Sequence, residues 1–170
     1  NLSEPCTWTG QFGWGTKEGH FSLPIGGAQI MRFRPRITAF LCQWCGSKGA
    51  DMAGTSRLKY PSTVTPIRVP CTGRIDLTHV LDALTKSDGV LIGGCYTPSN
   101  CHYKHGNYQA LKRVELLKVF LKQMGVNPDR VRLEWIRASE GKKFAETIRS
   151  FTEQLEKLGP LKTQEEAMPE

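Results

Sequence analysis

The sequence lacks long hydrophobic runs. No apolar stretch approaches the roughly 20 residues that a transmembrane helix needs, so we expect no membrane span. The first 21 residues also lack the continuous apolar segment of a secretory signal peptide. Both absences argue against a membrane or secreted protein, and we expect a cytoplasmic one.

Several common functional motifs are missing as well. The sequence has no G-x-G-x-x-G dinucleotide fingerprint, no Walker loop and no G-x-S-x-G nucleophile elbow. Basic residues outnumber acidic ones by 23 to 16, which gives a net charge of +7, yet they form no Lys/Arg block or nucleic-acid motif. We therefore interpret Lys112, Arg113, Lys118 and Lys122 as the solvated face of a helix and expect no nucleic-acid partner. The excess positive charge suits an acidic surface on a partner protein.

Cysteine is the unusual component of the sequence. The chain has six cysteines: Cys6, Cys42, Cys45, Cys71, Cys95 and Cys101. In a short secreted chain they would indicate disulfides, whereas in a longer cytosolic chain clustered cysteines indicate metal or redox chemistry.

The chain divides into three parts by composition. Residues 1–34 are rich in aromatic residues, glycine and proline without clear periodicity, and we interpret them as an irregular extension that docks on a partner. Residues 35–159 have the regular patterns of one α/β domain, and residues 160–170 form a polar tail. Cys6 lies in the extension and is not expected to bind the same group as the other cysteines.

Regular secondary structure is expected throughout the central part. Short apolar runs predict strands at 37–41, 67–69, 90–92 and 131–136. One helix is predicted at 46–59, and a second one begins after an Asp76 cap. A third is predicted at 108–124, with Leu111, Val114, Leu117, Leu121 and Met124 facing inward, and a fourth at 141–158 after a Ser139 cap. This alternation predicts a flavodoxin-like open parallel sheet of about four strands with helices on both faces.

The cysteines fall at the ends of the predicted strands. Cys42, Cys71 and Cys95 each follow a strand, and the carboxyl ends of parallel strands share one edge of a sheet. Cys45 follows Cys42 in a C-x2-C spacing, and Cys101 follows Cys95 in a C-x5-C spacing. Four thiolates satisfy a [2Fe–2S] cluster, a [4Fe–4S] cluster or a tetrahedral zinc ion, and spacing does not decide between them. A single C-x2-C pair mildly favours a cluster, because zinc sites usually have two.

Other side chains are candidates for supporting roles. Arg57 and Arg74 lie near the strand ends in sequence and would stabilise an anionic cluster, or else serve as surface arginines. Trp44 is expected to shield the site from water. His102 is a candidate replacement for a thiolate ligand, or a base for a nucleophilic Cys95, although a ligand role explains all the cysteines together.

Many short motifs agree in order with one known family. They include Cys42-Gln43-Trp44-Cys45, Pro70-Cys71, Gly73-Arg74-Ile75-Asp76, Gly94-Cys95, Cys101-His102-Tyr103 and Gly106-Asn107-Tyr108. Over roughly residues 36–160 the sequence resembles the delta subunit of methyl-viologen-reducing hydrogenase. The loop between the last two cysteines departs from the family pattern, and Leu41 stands where many members have a further cysteine.

The resemblance implies an electron-transfer subunit. It implies one [2Fe–2S] cluster bound by four of the five cysteines at 42, 45, 71, 95 and 101. It also implies a hetero-oligomer in which electrons pass between a redox subunit, such as a hydrogenase or formate dehydrogenase, and a flavin- and iron–sulfur-containing A-type subunit like that of heterodisulfide reductase. Similar subunits occur in other electron-bifurcating complexes, including those of benzoyl-CoA reductases.

Two alternatives remain open on the residues alone. The same fold could be a structural adaptor stabilised by zinc. The chain could also be a thiol–disulfide enzyme that uses Cys42 and Cys45.

Overall fold

A computed structural model describes residues 33–96 and 101–161 of the chain. Nearly all of the predicted extension, including Cys6, and most of the polar tail lie outside the described residues. The partner-docking role of the extension therefore stays a prediction.

The described residues contain one four-stranded parallel sheet. Its strands are β1 (Ile37–Cys42), β2 (Val64–Val69), β3 (Gly89–Gly94) and β4 (Val131–Trp135), in the order β2-β1-β3-β4. The two central strands, β1 and β3, are buried along their whole length, whereas the edge strands are partly exposed. This arrangement confirms the predicted flavodoxin-like parallel sheet.

Helices cover both faces of the sheet, as the alternation of elements predicted. They are α1 (Gly46–Thr55), α2 (Leu77–Lys86), α3 (Gly106–Gln123) and α4 (Gly141–Leu158). Helices α1 and α4 pack on one face, and α2 and α3 pack on the other. Across the described ranges, no helix is both long enough and apolar enough to span a membrane.

The alternation of side chains along β1 builds two separate cores. Ile37, Ala39 and Leu41 face α1 and α4, whereas Phe40 points to the opposite face, where α2 and α3 lie. Cys42 is two residues beyond Phe40, so the same alternation directs it toward the α2/α3 face at the end of the strand.

Two elements differ from the prediction by three or more residues at one end. Strand β2 begins at Val64 and includes Pro66, which pairs with Ala39. Because β2 is an edge strand, the missing N–H of proline costs no hydrogen bond within the sheet. Helix α1 ends at Thr55, and Arg57, two residues later, has a left-handed backbone with φ of 52° that an α-helix cannot continue through.

Two predictions for the helices were wrong. In α3, Leu111 is 37% exposed and Met124 is 64% exposed, and the buried side is completed instead by Ala110. Helix α4 begins after Glu140 and not Ser139, and the Glu140 carboxylate accepts a hydrogen bond from the Arg137 N–H at 2.9 Å.

Candidate metal centre

Four cysteines from separate segments meet at the carboxyl edge of the sheet. Cys42 ends β1, Cys71 is the second residue after β2, Cys95 directly follows β3, and Cys101 precedes α3. All four are at most 9% exposed, and they form a cluster distinct from the two apolar cores. The structure thus brings together thiols that are up to 59 positions apart in the sequence, between Cys42 and Cys101.

The sheet accounts for the contact between two of these thiols. Strands β1 and β3 are neighbours and end at the same level, so the Sγ atoms of Cys42 and Cys95 lie 3.4 Å apart. The Cys42 thiol also points toward the carbonyl of Pro70 at 3.9 Å, at the end of β2. Cys42 is therefore close to the ends of all three of these strands.

Two glycines allow the other two thiols to approach each other. A Cβ atom on Gly106 would overlap the Cys71 sulfur and lie 3.1 Å from the Cys101 sulfur. A Cβ atom on Gly73 would lie 2.6 Å from the Gly106 carbonyl oxygen. The turn after β2 and the start of α3 thus contact each other through the backbone of Gly73 and Gly106, and this contact holds Cys71 beside Cys101.

Cys45 lies at the edge of the group. It immediately precedes α1 and is half-buried, while its side chain packs against the four buried thiols. The start of α1 packs closely on the sheet at Gly46. A Cβ atom on this residue would lie only 2.5 Å from the Gly93 carbonyl oxygen. The C-x2-C turn therefore places Cys45 between the buried thiols and the surface.

The thiols change one another's proton affinities. A hydrogen bond from Cys95 lowers the pKa of Cys42 to about 6, and the same contact together with burial raises the pKa of Cys95. Burial raises the pKa of Cys45 and of Cys71. The contact thus favours a thiolate on Cys42, the form that binds metals.

An aromatic stack joins two of the cysteine-bearing segments. The rings of Trp44 and His102 are stacked with centroids 3.9 Å apart and an interplanar angle of 20°. His102 also meets the edge of Tyr103 at 5.2 Å. Trp44 belongs to the C-x2-C turn and His102 follows Cys101, so the stack connects the two turns on their exposed side.

The two arginines predicted to support the site lie in different places. Arg74 follows Cys71 by three residues, and both line a cleft of about 540 Å³ together with Tyr103, His105 and Gln109. Arg57 lies beyond the C-terminal end of α1, whose start is beside the cysteines. A helix of 10 residues is about 15 Å long, so the structure does not bring Arg57 to the thiols.

Arg113 was expected on the solvated face of α3, and that prediction was wrong. Its Nη1 donates hydrogen bonds to the carbonyl oxygens of Gly73 at 2.6 Å and of Ile75 at 3.0 Å. These carbonyls belong to the turn that follows Cys71. Arg113 therefore fixes that turn to α3.

Asn107 is a structural residue that sequence reasoning missed. It is fully buried, and its side-chain Nδ2 donates to the carbonyl of Tyr96 at 3.1 Å. Its Oδ1 accepts from the Tyr108 N–H at 2.9 Å. The signal was present, because Asn107 is a polar residue in register with the buried Ala110 and Val114 of the same helix.

The group of thiols is suited to soft-metal chemistry. Among the residues that the structure describes, no three His, Cys, Asp or Glu side chains are arranged around a single metal-ion position. The thiols lie instead as neighbouring pairs, Cys42 with Cys95 and Cys71 with Cys101. Thiolates bind iron in iron–sulfur clusters and also bind zinc, so the donor set fits either chemistry.

Comparison with known proteins gives matches along most of the chain. The sequence model of the family described as methyl-viologen-reducing hydrogenase, delta subunit, matches residues 37–159. The chain is 50% identical over 131 residues to an F420-non-reducing hydrogenase iron–sulfur subunit of Archaeoglobus profundus, an alignment that covers 76% of this chain and 95% of that protein. It is 43% identical over 129 residues to the vhc iron–sulfur subunit of F420-non-reducing hydrogenase from Methanococcus voltae, covering 75% and 89% respectively.

A third similarity is to one part of a larger protein. The chain is 45% identical over 128 residues to the A-type subunit of the ferredoxin/F420H2-dependent CoB-CoM heterodisulfide reductase of Methanosarcina acetivorans. The alignment covers 75% of this chain but only 16% of that protein. A similar domain is thus part of a longer polypeptide in that organism.

Proposed function

The chain belongs to the family of methyl-viologen-reducing hydrogenase delta subunits, and from this premise we propose that it binds one [2Fe–2S] cluster and relays electrons between two redox subunits. The observation that carries the proposal is the meeting of four buried thiols at the carboxyl edge of the sheet. A cluster at that place would be enclosed by protein yet close to the surface. When bound, it supplies one-electron exchange between a reduced donor and an oxidised acceptor.

The pairing of the thiols supports a two-iron cluster. A [2Fe–2S] cluster with four cysteine ligands places two of them on each iron. We assign Cys42 and Cys95, whose sulfurs lie 3.4 Å apart, to one iron. Cys71 and Cys101, which meet beside Gly106, are assigned to the other.

Cys45 is the fifth thiol in this assignment. It is the most exposed of the five cysteines, and its thiol lies within hydrogen-bonding reach of Cys95. Once Cys95 is a metal-bound thiolate, its sulfur can only accept, so Cys45 becomes the donor of this contact. A hydrogen bond from Cys45 to the ligand sulfur of Cys95 would raise the reduction potential of the cluster. Cys45 is therefore assigned a tuning role.

The surroundings of the thiols suit an anionic group. Arg74 brings a positive charge to the cleft beside Cys71. The stack of Trp44 on His102 covers the exposed side of the cysteine turns and limits the access of water and oxygen. These contacts support the roles that the sequence suggested for Arg74 and Trp44. His102, which was a candidate ligand or base, is assigned a covering role through its stack on Trp44.

Relatives suggest the partners. Two relatives that align over nearly their whole length are named as hydrogenase subunits, and a third belongs to a heterodisulfide reductase. Because one polypeptide keeps its domains together, the third relationship favours an association of this chain with a flavin- and iron–sulfur-containing subunit of the A type. We propose a cytoplasmic hetero-oligomer of the electron-bifurcating kind. In it, this chain receives electrons from a hydrogenase, a formate dehydrogenase or a similar redox protein.

Anaerobic purification followed by metal analysis tests the cofactor. We expect about two irons and two sulfides per chain, with a brown colour that bleaches on reduction. Zinc without sulfide would contradict the proposal and support the structural adaptor instead. A colourless protein without metal would contradict it in favour of dithiol chemistry.

Single cysteine substitutions test the ligand assignment. Changing Cys42, Cys71, Cys95 or Cys101 to alanine is expected to abolish iron and sulfide binding. Cys45→Ala is expected to keep the cluster but to lower its reduction potential, because a hydrogen bond to a ligand sulfur is lost. Cys6→Ala serves as the control. If Cys45→Ala removes the cluster and one of the other four substitutions does not, the assignment is wrong although the cofactor stands.

A further inference from the structure

Helix α3 carries an unusual set of exposed apolar side chains. Leu116, Val119, Phe120 and Met124 are 49%, 56%, 45% and 64% exposed, and Tyr108 near the helix start is 38% exposed. We call these five residues the α3 stripe. The outer face of a surface helix is normally polar, and a contiguous apolar patch indicates an interaction site.

The spacing of the α3 stripe places four of its members on one side of the helix, and Tyr108 lies about two turns before the first of them. Leu116, Val119, Phe120 and Met124 stand at positions i, i+3, i+4 and i+8, which are neighbours on a helix surface. They lie away from the buried side of the helix, which packs on the sheet. The same spacing is used by helices that bind in an apolar groove of another protein.

The α3 stripe runs toward the thiols. Helix α3 begins at Gly106, which contacts the sulfurs of Cys71 and Cys101. Gln109 lines the cleft that opens on Cys71, and it lies two helical turns before Leu116 on the same side. A protein seated on the stripe would therefore extend over the cleft.

The charges beside the stripe define the surface that would fit it. Lys112 lies two turns before Val119, and Lys122 lies one turn after it, both exposed to solvent. Glu115, the exposed acid between them, is paired with Lys118 at 3.2 Å, so the charge left on this flank is positive. With a net charge of +7, the chain favours a partner whose apolar groove is rimmed by carboxylates. A second copy of this chain would bring lysines against lysines and fits less well.

The apolar character of the stripe favours a permanent partner over a transient one. Long-lived interfaces are more apolar than those of exchanging partners. In the heterodisulfide reductase relative, a domain similar to this chain occupies 16% of an A-type polypeptide. There, the rest of the A-type subunit is a permanent neighbour of that domain. The occupant that best matches both observations is the A-type subunit.

We propose that the α3 stripe is the docking surface for the flavin-containing A-type subunit, which contacts it through an apolar groove rimmed by carboxylates. This docking rests on the proposed function. It brings the partner's redox group over the cleft. Cys71, one of the assigned ligands, lines this cleft. Electrons pass between the two proteins on this side of the chain.

The test uses the full chain co-expressed anaerobically with the A-type subunit of its own organism. The double variant Leu116→Glu with Phe120→Glu places two carboxylates in the stripe. It is expected to retain iron and sulfide but to bind the flavoprotein about tenfold more weakly or worse, which corresponds to about 1.4 kcal/mol or more. The matched control is Met52→Glu with Ile67→Glu, since these side chains are 42% and 40% exposed on other elements. The control is expected to bind normally.

A charge variant tests the rim independently. Lys112→Glu with Lys122→Glu is expected to weaken the complex at low ionic strength, and the difference from the unmodified chain should shrink as salt is added. If this variant bound the A-type subunit with the affinity and salt dependence of the unmodified chain, the proposal that carboxylates surround the partner's groove would be wrong.

Three results would overturn the docking surface. The first is a complex of undiminished affinity in the stripe variant, and the second is equal weakening in the control. The third is a dimer of the isolated chain that the stripe variant dissociates while the complex persists, which would assign the stripe to a second copy. Failure of the proposed function is distinct, because the unmodified chain would then lack iron and sulfide.

Discussion

Gly106 determines whether two of the assigned ligands can meet. It is the first residue of α3, and the sulfurs of Cys71 and Cys101 occupy the space where a side chain would stand. The backbone of Gly106 also packs closely against Gly73, where a Cβ atom would lie 2.6 Å from the Gly106 carbonyl oxygen. The site therefore depends on the absence of a side chain as much as on the presence of thiols.

Gly106→Ala is expected to remove most of the bound iron and sulfide. The added methyl group would displace Cys71 from Cys101, because the two sulfurs already fill its position. Iron and sulfide per chain, together with visible absorption, measure the effect. Gly54→Ala is the matched control, since a Cβ atom there meets nothing within 4 Å and alanine stabilises a helix by up to about 1 kcal/mol. A Gly106→Ala protein with a full cluster would show that the thiols are packed differently.

Sequence patterns predicted some site residues and not others for a physical reason. Cys42, Cys71 and Cys95 were predictable because each follows a strand, and parallel strands end at a common edge. Arg113 was not, since its partners lie 38 and 40 positions away and become neighbours only when α3 packs beside the turn after β2. Arg57 is close to the cysteines along the chain but is separated from them by the length of α1.

Helix α3 organises three of the cysteine-bearing segments. Its first residue contacts Cys71 and Cys101, and Asn107 binds the carbonyl of Tyr96, the residue after Cys95. Arg113 then holds the turn that follows Cys71. A change that loosens α3 is therefore expected to disturb the site even where no ligand is altered.

Arg113→Met tests this connection. The substitution keeps an unbranched side chain about as long as the aliphatic stem of arginine but leaves the Gly73 and Ile75 carbonyls without their donor. We expect the free energy of unfolding to fall by about 1–3 kcal/mol and a chelator to remove the cluster faster. Thermal unfolding and the rate of iron release under anaerobic conditions measure the two effects. Lys142→Met, at a side chain that is 83% exposed on α4, should change neither. Equal behaviour of the two variants would contradict the role of Arg113.

Elements with strong local patterns were predicted more accurately than those fixed by their neighbours. The bounds of α4 agree with the prediction because Phe144, Ile148, Phe151 and Leu155 form a continuous apolar side that is fully buried. Strand β2 was predicted too short, since Pro66 argues against a strand in any central position. That β2 lies at the edge follows from the strand order, which no local pattern specifies.

At the scale of the whole molecule, the site couples distant parts of the chain. The four assigned ligands come from the ends of β1, β2 and β3 and from the segment before α3. A cluster bound to all four would cross-link these segments only in the folded state. Its binding free energy therefore adds to the stability of the fold.

Removal of the cluster is thus expected to lower the melting temperature of the whole domain. Preferential binding to the folded state contributes several kcal/mol when a ligand binds tightly. At about 2–4 °C per kcal/mol for a chain of this size, we expect a decrease on the order of 10 °C. Anaerobic calorimetry of the loaded, chelator-treated and reconstituted protein measures it, and reconstitution should restore the original value. The Cys71→Ala, Cys101→Ala double variant provides the control, because iron and sulfide should leave its melting temperature unchanged. If the loaded and chelator-treated proteins melted at the same temperature, the four segments would be held together by the sheet and α3 alone.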